Sequence, residues 1–486
     1  MSEQSSTDLA ALAAAEGVEV DVDPGRRVVV VQGLGFVGSA MATACAAATG
    51  EDGSAAFTVV GVDVPDELGR ARIDSVNAGT FPFETSDEEI GLAIAEARKR
   101  GNLVATADER AYSLADVVVV DVAFDIDWRA EQPKLLPGSF EKAIRVIGRN
   151  VRPGALVLVE TTVPPGATEK IVVPALAEEL QSRGIDPGEV LVAHSFERVT
   201  PGSDYLSSVT DYWRVYAGTT EAAADAAEEF LRVVVNTDDY PLRRLATATA
   251  SETAKVLENT FRATTIALME EWSRFAEMTG IDLYEIVDVV RMRPTHANIR
   301  TPGFGVGGYC LTKDPLFASL AASSLWDEPV EFPFSTSAVR INDQSPLVTL
   351  GRVEELLGGE LSGRTVLLAG VSYRPDVADT RYSPSESFVR AAEARGATVL
   401  TNDPLVGHWH EMDREVPAEL QSPDGVAAIV FAVPHSLYRG LDLATWLGEA
   451  RPVIFDACGV LSAEQRTAAM ELGCTVAGIG RGTEHR

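Results

Sequence analysis

From Arg27 onward the chain alternates short, mostly apolar runs with longer segments whose apolar positions recur at helical spacing. Residues 28–31 are valines; a Gly-rich turn, a helix of small residues over 39–49 and a second apolar run over 57–62 follow. Short apolar runs bounded by turn residues predict strands buried on both faces, and the order strand, helix, strand opens a parallel sheet. Further strands are predicted at 117–122, 155–159 and 190–193, with helices at 87–100 and 139–147 between them. The alternation predicts a doubly wound domain reaching to about residue 235.

Near Leu245 the pattern changes. Residues 247–279 contain no Gly or Pro and set Val256, Phe261, Ile266, Met269, Phe275 and Met278 at mostly helical spacing. This predicts one long helix of about 45 Å, straight or kinked. Its apolar positions Phe261, Ile266, Met269 and Phe275 are more than one flanking domain covers, so a homodimer or higher homo-oligomer is expected. Helical spacing continues over 281–290 and 315–324, and from Thr365 the first pattern restarts, with strands at 366–368, 398–400, 427–432 and 453–456 and a helix at 384–395. The fold class expected is α/β, two Rossmann-like doubly wound domains joined by a helical middle domain with one long helix. Its parts are an acidic tail over 1–25, partly helical or mobile, a dinucleotide-binding domain over 26–240, a helical dimerisation domain over 241–345 and a second Rossmann-like domain over 346–486.

Length and composition narrow the function classes. A chain of 486 residues has room for about three domains. Its 46 % apolar and 23 % charged residues are ordinary for a globular protein, and no run approaches the ~18 apolar residues of a membrane helix. A formal charge of −31 repels phosphate backbones and anionic lipid, so neither nucleic acid nor a membrane is expected as a partner, and an anionic small ligand needs a local basic pocket. Cys45, Cys310, Cys458 and Cys474 are too few and scattered for a disulfide framework or a zinc site, and no metal is expected. The acidic N-terminal segment lacks the features of a signal peptide, so a cytoplasmic location is expected. Only six of the 41 basic residues are lysines, at 99, 134, 142, 170, 255 and 313, so a lysine in this chain is itself informative.

Four patterns carry chemistry. The turn Gly33-Leu34-Gly35-Phe36-Val37-Gly38 lies between a strand and a helix, where glycines allow a tight turn and close approach of a pyrophosphate to a helix N-terminus. Asp63 closes the next strand, 25 residues after Gly38, where a carboxylate accepts a ribose 2′-hydroxyl and repels a 2′-phosphate; NAD is expected over NADP. The block Gly303-Phe304-Gly305-Val306-Gly307-Gly308-Tyr309-Cys310-Leu311-Thr312-Lys313-Asp314-Pro315 bares backbone at Gly307 and Gly308 for ligand contacts. It sets Cys310 where a helix is expected to begin, next to a lysine, as a nucleophilic thiol, with Asp314 four residues on as a base for an attacking water. On the long helix Lys255 and Asn259 share a face and form a donor pair for a developing oxyanion. Two loops after strands, 160–166 with Thr162 and 195–202 with Glu197 and Arg198, stand where α/β sheets bind ligands, though capping or turn roles suit Thr162 and Glu197 equally. Arg374 and Arg293 are candidates for the positive charge that a substrate pyrophosphate needs.

Taken in order, the dinucleotide turn, the Lys-x-x-x-Asn helix, the Gly-Gly-x-Cys-x-x-Lys-Asp block, residues 371–381 (with Asp379-Thr380-Arg381) and residues 477–482 resemble the nucleotide-sugar 6-dehydrogenase family from about Arg26 to Arg481. The resemblance implies a four-electron oxidation of a sugar carbon 6 alcohol to the carboxylate with two NAD. Cys310 would form a thiohemiacetal and then a thioester, and Lys255 and Asn259 would stabilise the oxyanion. Asp314 and Thr162 would orient or activate water, Glu197 would assist proton transfer, and Lys313 and Arg381 would lie near the cofactor. The stretch Phe196-Glu197-Arg198-Val199, with Pro201 where glucose-type members carry a second Glu, resembles the N-acetylhexosamine branch, whereas Tyr309 and Lys313 look more like the UDP-glucose branch. UDP-N-acetylmannosamine or UDP-N-acetylglucosamine is the favoured substrate, with UDP-glucose or GDP-mannose as alternatives. Asp121-Val122-Ala123-Phe124 departs from the family's Cys-Val-Pro-Thr, and Arg374 replaces a common Lys. A two-electron 3-hydroxy acid dehydrogenase, which needs no thiol, and a non-catalytic nucleotide-sugar sensor are the competing readings.

Overall fold

The computed structural model describes residues 3–483; the first two residues of the expected acidic tail and the last three of the expected C-terminal domain lie outside them. The chain packs into two compact units, residues up to Val256 with Phe317–Val330, and Leu257–Leu316 with the residues from Glu331 onward.

Eight strands form the sheet of the first unit: β1 (Arg27–Gln32), β2 (Phe57–Val62), β3 (Leu103–Thr106), β4 (Val117–Val120), β5 (Leu156–Val159), β6 (Leu191–His194), β7 (Val215–Gly218) and β8 (Arg243–Arg244). Their order is β8-β7-β6-β5-β4-β1-β2-β3, parallel except between β6 and β7. Every residue of β2 to β5 is buried, because helices cover both faces, and this is why β4 and β5 are unbroken apolar runs and only Thr58 and Thr106 interrupt β2 and β3 with a polar side chain. Connections leave β1 toward β2 and β4 toward β5 in opposite directions, which opens a crevice at the C-terminal ends of β1 and β4. The helix Phe36–Ala47 buries nine consecutive small or medium residues from Gly38 to Ala46, so it packs close to the sheet. Asp87 caps the helix Glu88–Arg100 by accepting the N–H groups of Glu89 and Ile90.

The acidic N-terminal segment is docked. Its helix Glu3–Ala15 buries Leu9 and Leu12, and Glu16 accepts a hydrogen bond from Thr106 and pairs with Arg70 at 3.0 Å.

The second unit holds β9 (Thr365–Ala369), β10 (Thr398–Asn402), β11 (Ala428–Phe431), β12 (Val453–Asp456), β13 (Val476–Gly478) and β14 (Gly482–Thr483), in the order β10-β9-β11-β12-β13-β14, with only β14 antiparallel to its neighbour. The long helix runs unbroken over Ala248–Thr279, and its residues from Leu257 belong to this unit. Its apolar face differs from the expected one. Met269 is buried with Ala276, Leu283 and Val287, and Ile266 is half-buried, while Leu257, Phe261, Leu268, Trp272 and Phe275 are exposed. A second long helix, Pro333–Leu356, contains Pro346 and buries Asn342, Ser345 and Thr349, so neither its apolar spacing nor its composition announces it. Pro346 has no N–H for the Asn342 carbonyl, and a Cβ on Gly305 would stand 3.3 Å from that carbonyl oxygen.

The helix expected to begin at Cys310 does not begin there. Residues 309–313 form turns, Asp314–Leu316 a single 3-10 turn, and the α-helix runs over Phe317–Ser324. Pro315 cannot donate to the carbonyl of Leu311, which disfavours an α-helical start at Cys310. No helix among the described residues is long and apolar enough to cross a membrane.

Candidate active site

At the crevice of the first sheet, Gly33 has a φ of +90° and donates its N–H to Val62 O at 2.8 Å, which closes the turn against β2. A Cβ on Gly38 would stand 1.8 Å from Gly33 O, so the helix can approach only with glycine there. Gly35 is different: it is the N-cap of the helix Phe36–Ala47, no side chain caps it, and a Cβ there would meet nothing within 4 Å. An uncapped helix N-terminus beside open space fits the pyrophosphate of NAD. Phe36 stacks on Phe83 with ring centroids 4.0 Å apart, which anchors the first helical residue beside Val37. Asp63, at the end of β2, accepts the N–H groups of Leu34 (3.1 Å) and Val64 (2.8 Å) and pairs with Arg72 at 3.2 Å. Bound at this turn, the NAD ribose would have the Asp63 carboxylate as its acceptor.

The loops after β5 and β6 hold the next candidates. Thr162 is buried in a loop gripped from two sides: Glu252 on the long helix accepts the N–H groups of Gly166 (2.5 Å) and Thr168 (2.7 Å), and Trp326 donates to Pro165 O at 3.2 Å. Burial pushes the Glu252 carboxyl up to about 7. Lys255, three residues along the helix, donates to the Glu197 carbonyl at 2.7 Å and lies 3.3 Å from its Oε1; both side chains are buried. Ser251 bonds His194 Nδ1 at 2.8 Å, and burial, then the charge of Lys255, lowers the imidazole to about 3, so His194 is neutral. Arg198 lies over the rings of Phe196 (4.9 Å) and Tyr212 (5.8 Å) and bonds the carbonyl of Trp213.

In the second unit Asn259 Nδ2 donates to Asp314 Oδ2 at 2.7 Å, and Lys313 Nζ stands 2.9 Å from Asp314 Oδ1. Asp314, fully buried, is thus held from both sides. The Cys310 carbonyl accepts the N–H groups of Lys313 and Asp314, so a turn rather than a helix face brings Asp314 back toward the cysteine. Of the four cysteines Cys310 alone is exposed. Arg381 makes a two-point pair with Asp379 (2.9 and 2.6 Å), and its charge acts on Tyr373 and Cys310.

The glycines before the cysteine serve packing. Gly308 (φ +79°) donates to Arg381 O at 2.9 Å, and a Cβ on Gly307 would stand 2.4 Å from that of Tyr373. The side chains absent at Gly307 and Gly308 therefore make room for Tyr373 and not for open backbone, as the sequence had suggested. Arg374 is half-buried in the loop after β9 and Arg293 is exposed after the helix Leu283–Arg291; neither is in an ion pair among the described residues.

Several contacting residues escaped sequence reading. Arg72 is one arginine among many, and Glu252 and Ser251 differ from neighbouring helix residues only in facing the sheet. The loop carrying Arg374 is tethered by Asp403, whose Oδ2 accepts the N–H groups of Val371 (2.9 Å) and Ser372 (3.0 Å), and by His435, whose Nδ1 accepts that of Asp376 (3.0 Å). The scarcity of histidine, six in the chain, was the one available signal for His194 and His435.

Comparison with known proteins accords with this arrangement. Three domains described for the UDP-glucose/GDP-mannose dehydrogenase family match in succession, the NAD binding domain over residues 27–234, the central domain over 249–344 and the UDP binding domain over 367–463. A UDP-N-acetyl-D-mannosamine dehydrogenase of Pyrococcus horikoshii is 30 % identical over 461 residues, 93 % of this chain and 99 % of that one. The solved structure of the UDP-D-ManNAc dehydrogenase from Pyrococcus horikoshii matches at a TM-score of 0.78 and 28 % identity, covering 94 % of this chain and 99 % of that one. An NDP-N-acetyl-D-galactosaminuronic acid dehydrogenase of Ralstonia nicotianae is 29 % identical over 466 residues, 92 % of this chain and 98 % of that one. With its dinucleotide turn, its cysteine block and these matches along nearly its whole length, the chain belongs to the UDP-glucose/GDP-mannose dehydrogenase family and is an NAD-dependent nucleotide-sugar dehydrogenase.

Proposed function

We propose that this protein oxidises carbon 6 of a UDP-N-acetylhexosamine, UDP-N-acetylmannosamine or UDP-N-acetylglucosamine, from alcohol to carboxylate, with Cys310 as the nucleophile. The observation that carries the reading is the exposed Cys310 followed by the buried Asn259, Lys313 and Asp314 set. When bound, NAD supplies the hydride acceptor for both oxidations. Cys310 Sγ adds to the aldehyde carbon, and Lys255 and Asn259 donate hydrogen bonds to the resulting oxyanion. After the second oxidation the thioester carbon is attacked by water, to which Asp314 and Thr162 offer acceptors, and the thiolate leaves. Glu197, paired with Lys255, assists proton transfer. Lys313 and Arg381 serve the cofactor, while Arg374, Arg293 and Arg198 hold the sugar nucleotide.

The N-acetylhexosamine assignment is supported by Phe196-Glu197-Arg198-Val199 and by the substrates in the relatives' names. The working assembly is a homodimer or higher homo-oligomer through the long helix, whose exposed Leu257, Phe261, Leu268, Trp272 and Phe275 recur on one face. The protein works in the cytoplasm, with its cysteines unpaired.

A panel of UDP- and GDP-sugars, assayed for NADH formed per sugar nucleotide consumed, tests the reading. Two NADH on a UDP-N-acetylhexosamine is expected. A preference for UDP-glucose or GDP-mannose overturns the sugar, and one NADH or none overturns the four-electron reaction.

A further inference from the structure

Under the dinucleotide turn the first unit buries ionisable side chains that the proposed chemistry leaves unused. Asp121 follows β4 and abuts the turn: a Cβ on Gly33 would stand 3.1 Å from Asp121 O, and one on Gly38 3.2 Å from its Cβ. Glu160 follows β5 and takes Arg214 Nη1 on its Oε1 at 2.6 Å, with both side chains buried. Both carboxyl oxygens of Asp121 and the Oε2 of Glu160 are buried without a conventional donor. Val120 pairs with Val159 in the parallel register of β4 and β5 and the Glu160 N–H donates to Val120 O at 3.1 Å, so Asp121 and Glu160, the next residues along the two strands, stand side by side with their carboxyls acting on each other. Two ionised carboxylates cannot satisfy one another, because neither donates; with one proton between them, they do.

A count of charge agrees. The loop after β6 brings Glu197, the segment before β7 brings Arg214, the long helix brings Lys255, and the helix Phe36–Ala47 brings only the neutral thiol of Cys45. His194 is uncharged. Three carboxyl groups therefore face two cations, and one negative charge is in excess unless a proton is retained. Burial, then mutual repulsion with Glu160, raises Asp121 well above the usual carboxylate range, and burial raises Glu160.

We propose that Asp121 and Glu160 hold one proton between them, and that Asp121 is thereby a positioning residue of the cofactor site. The shared proton keeps the floor of the dinucleotide turn free of net negative charge, as the binding of a dianionic pyrophosphate requires. The cofactor prefers the protonated pair, so its affinity falls as rising pH removes that proton.

The full chain, free of cofactor, is titrated with NADH, followed by the fluorescence of the bound cofactor, from neutral to strongly alkaline pH. Wild-type affinity is expected to fall about tenfold or more, the effect of one added charge near a dianion, whereas Asp121→Asn stays flat. A flat wild-type profile, or an equal slope in Asp121→Asn, overturns the proposal. Infrared difference spectra between the wild type and Asp121→Asn, taken at mildly alkaline pH where Glu252 and Glu270 (both at about 7) have ionised, give a second readout in which the raised carboxyls of Glu277 and Asp456 cancel. A protonated-carboxyl band is expected in the wild-type protein, lost in Asp121→Asn; its absence from the wild type overturns the shared proton.

Discussion

Asp63 answers to three partners at once, two backbone N–H groups and the Arg72 guanidinium. A 2′-phosphate would meet the carboxylate before the cation, so NAD is expected to exceed NADP by about tenfold or more in kcat/KM. In Asp63→Ser the phosphate would find Arg72 released, and the preference is expected to shrink toward unity; a variant that discriminates as strongly as the parent puts discrimination elsewhere. Cys310→Ala is expected to abolish uronic acid formation, assayed by chromatography, while NADH binds as before, since the dinucleotide turn belongs to another unit. Acid formed at the parent rate refutes the covalent route. Cys310, Lys255, Asn259 and Asp314 were legible as candidates because a scarce cysteine and a scarce lysine each stand four residues from a polar partner, Asp314 and Asn259. Arg72, Glu252 and His194 were not, since their roles arise from contacts that only the folded chain makes.

Among the elements, strands buried on both faces were the plainest to read; β2 and β12 have the predicted ends. The helix Pro333–Leu356 left no such trace, because its inward face includes Asn342, whose Nδ2 donates to Ala263 O at 3.0 Å, and Ser345, which bonds Glu270. Tertiary hydrogen bonds stand there where apolar spacing would have been the signal. The long helix also carries Glu252 and Glu270, both raised by burial from 4.5 to about 7. Each holds a proton when folded that the unfolded chain releases, so the stability it adds is complete below about 4.5 and is lost as pH climbs to about 7. Denaturant titrations of Glu252→Gln against the parent should show the variant gaining up to about 3 kcal/mol in relative stability across that interval. No relative gain would mean that Glu252 titrates normally. On the helix's other face, Trp272→Asp combined with Phe275→Asp is expected to halve the sedimenting mass at micromolar concentration; an unchanged mass would exclude this face as the interface.

For the molecule as a whole, a charge of −31 accompanies a near absence of lysine, and the six lysines divide by role. Lys255 and Lys313 are buried against carboxylates, whereas Lys99, Lys134, Lys142 and Lys170 are exposed and lie in the first unit. Beyond Lys313 the chain has none. A lysine-specific endoproteinase therefore meets four accessible bonds at most while the fold is closed, all of them before residue 171, and everything C-terminal to Lys170 should survive as a single fragment. Early cleavage after Lys313 would report that the turn around Cys310 opens in solution. The same asymmetry suits the protein to attachment through surface amines: ester reagents or aldehyde supports would tether it by the first unit only, leaving the buried ammonium groups of Lys255 and Lys313 underivatised and the second unit without an attachment point.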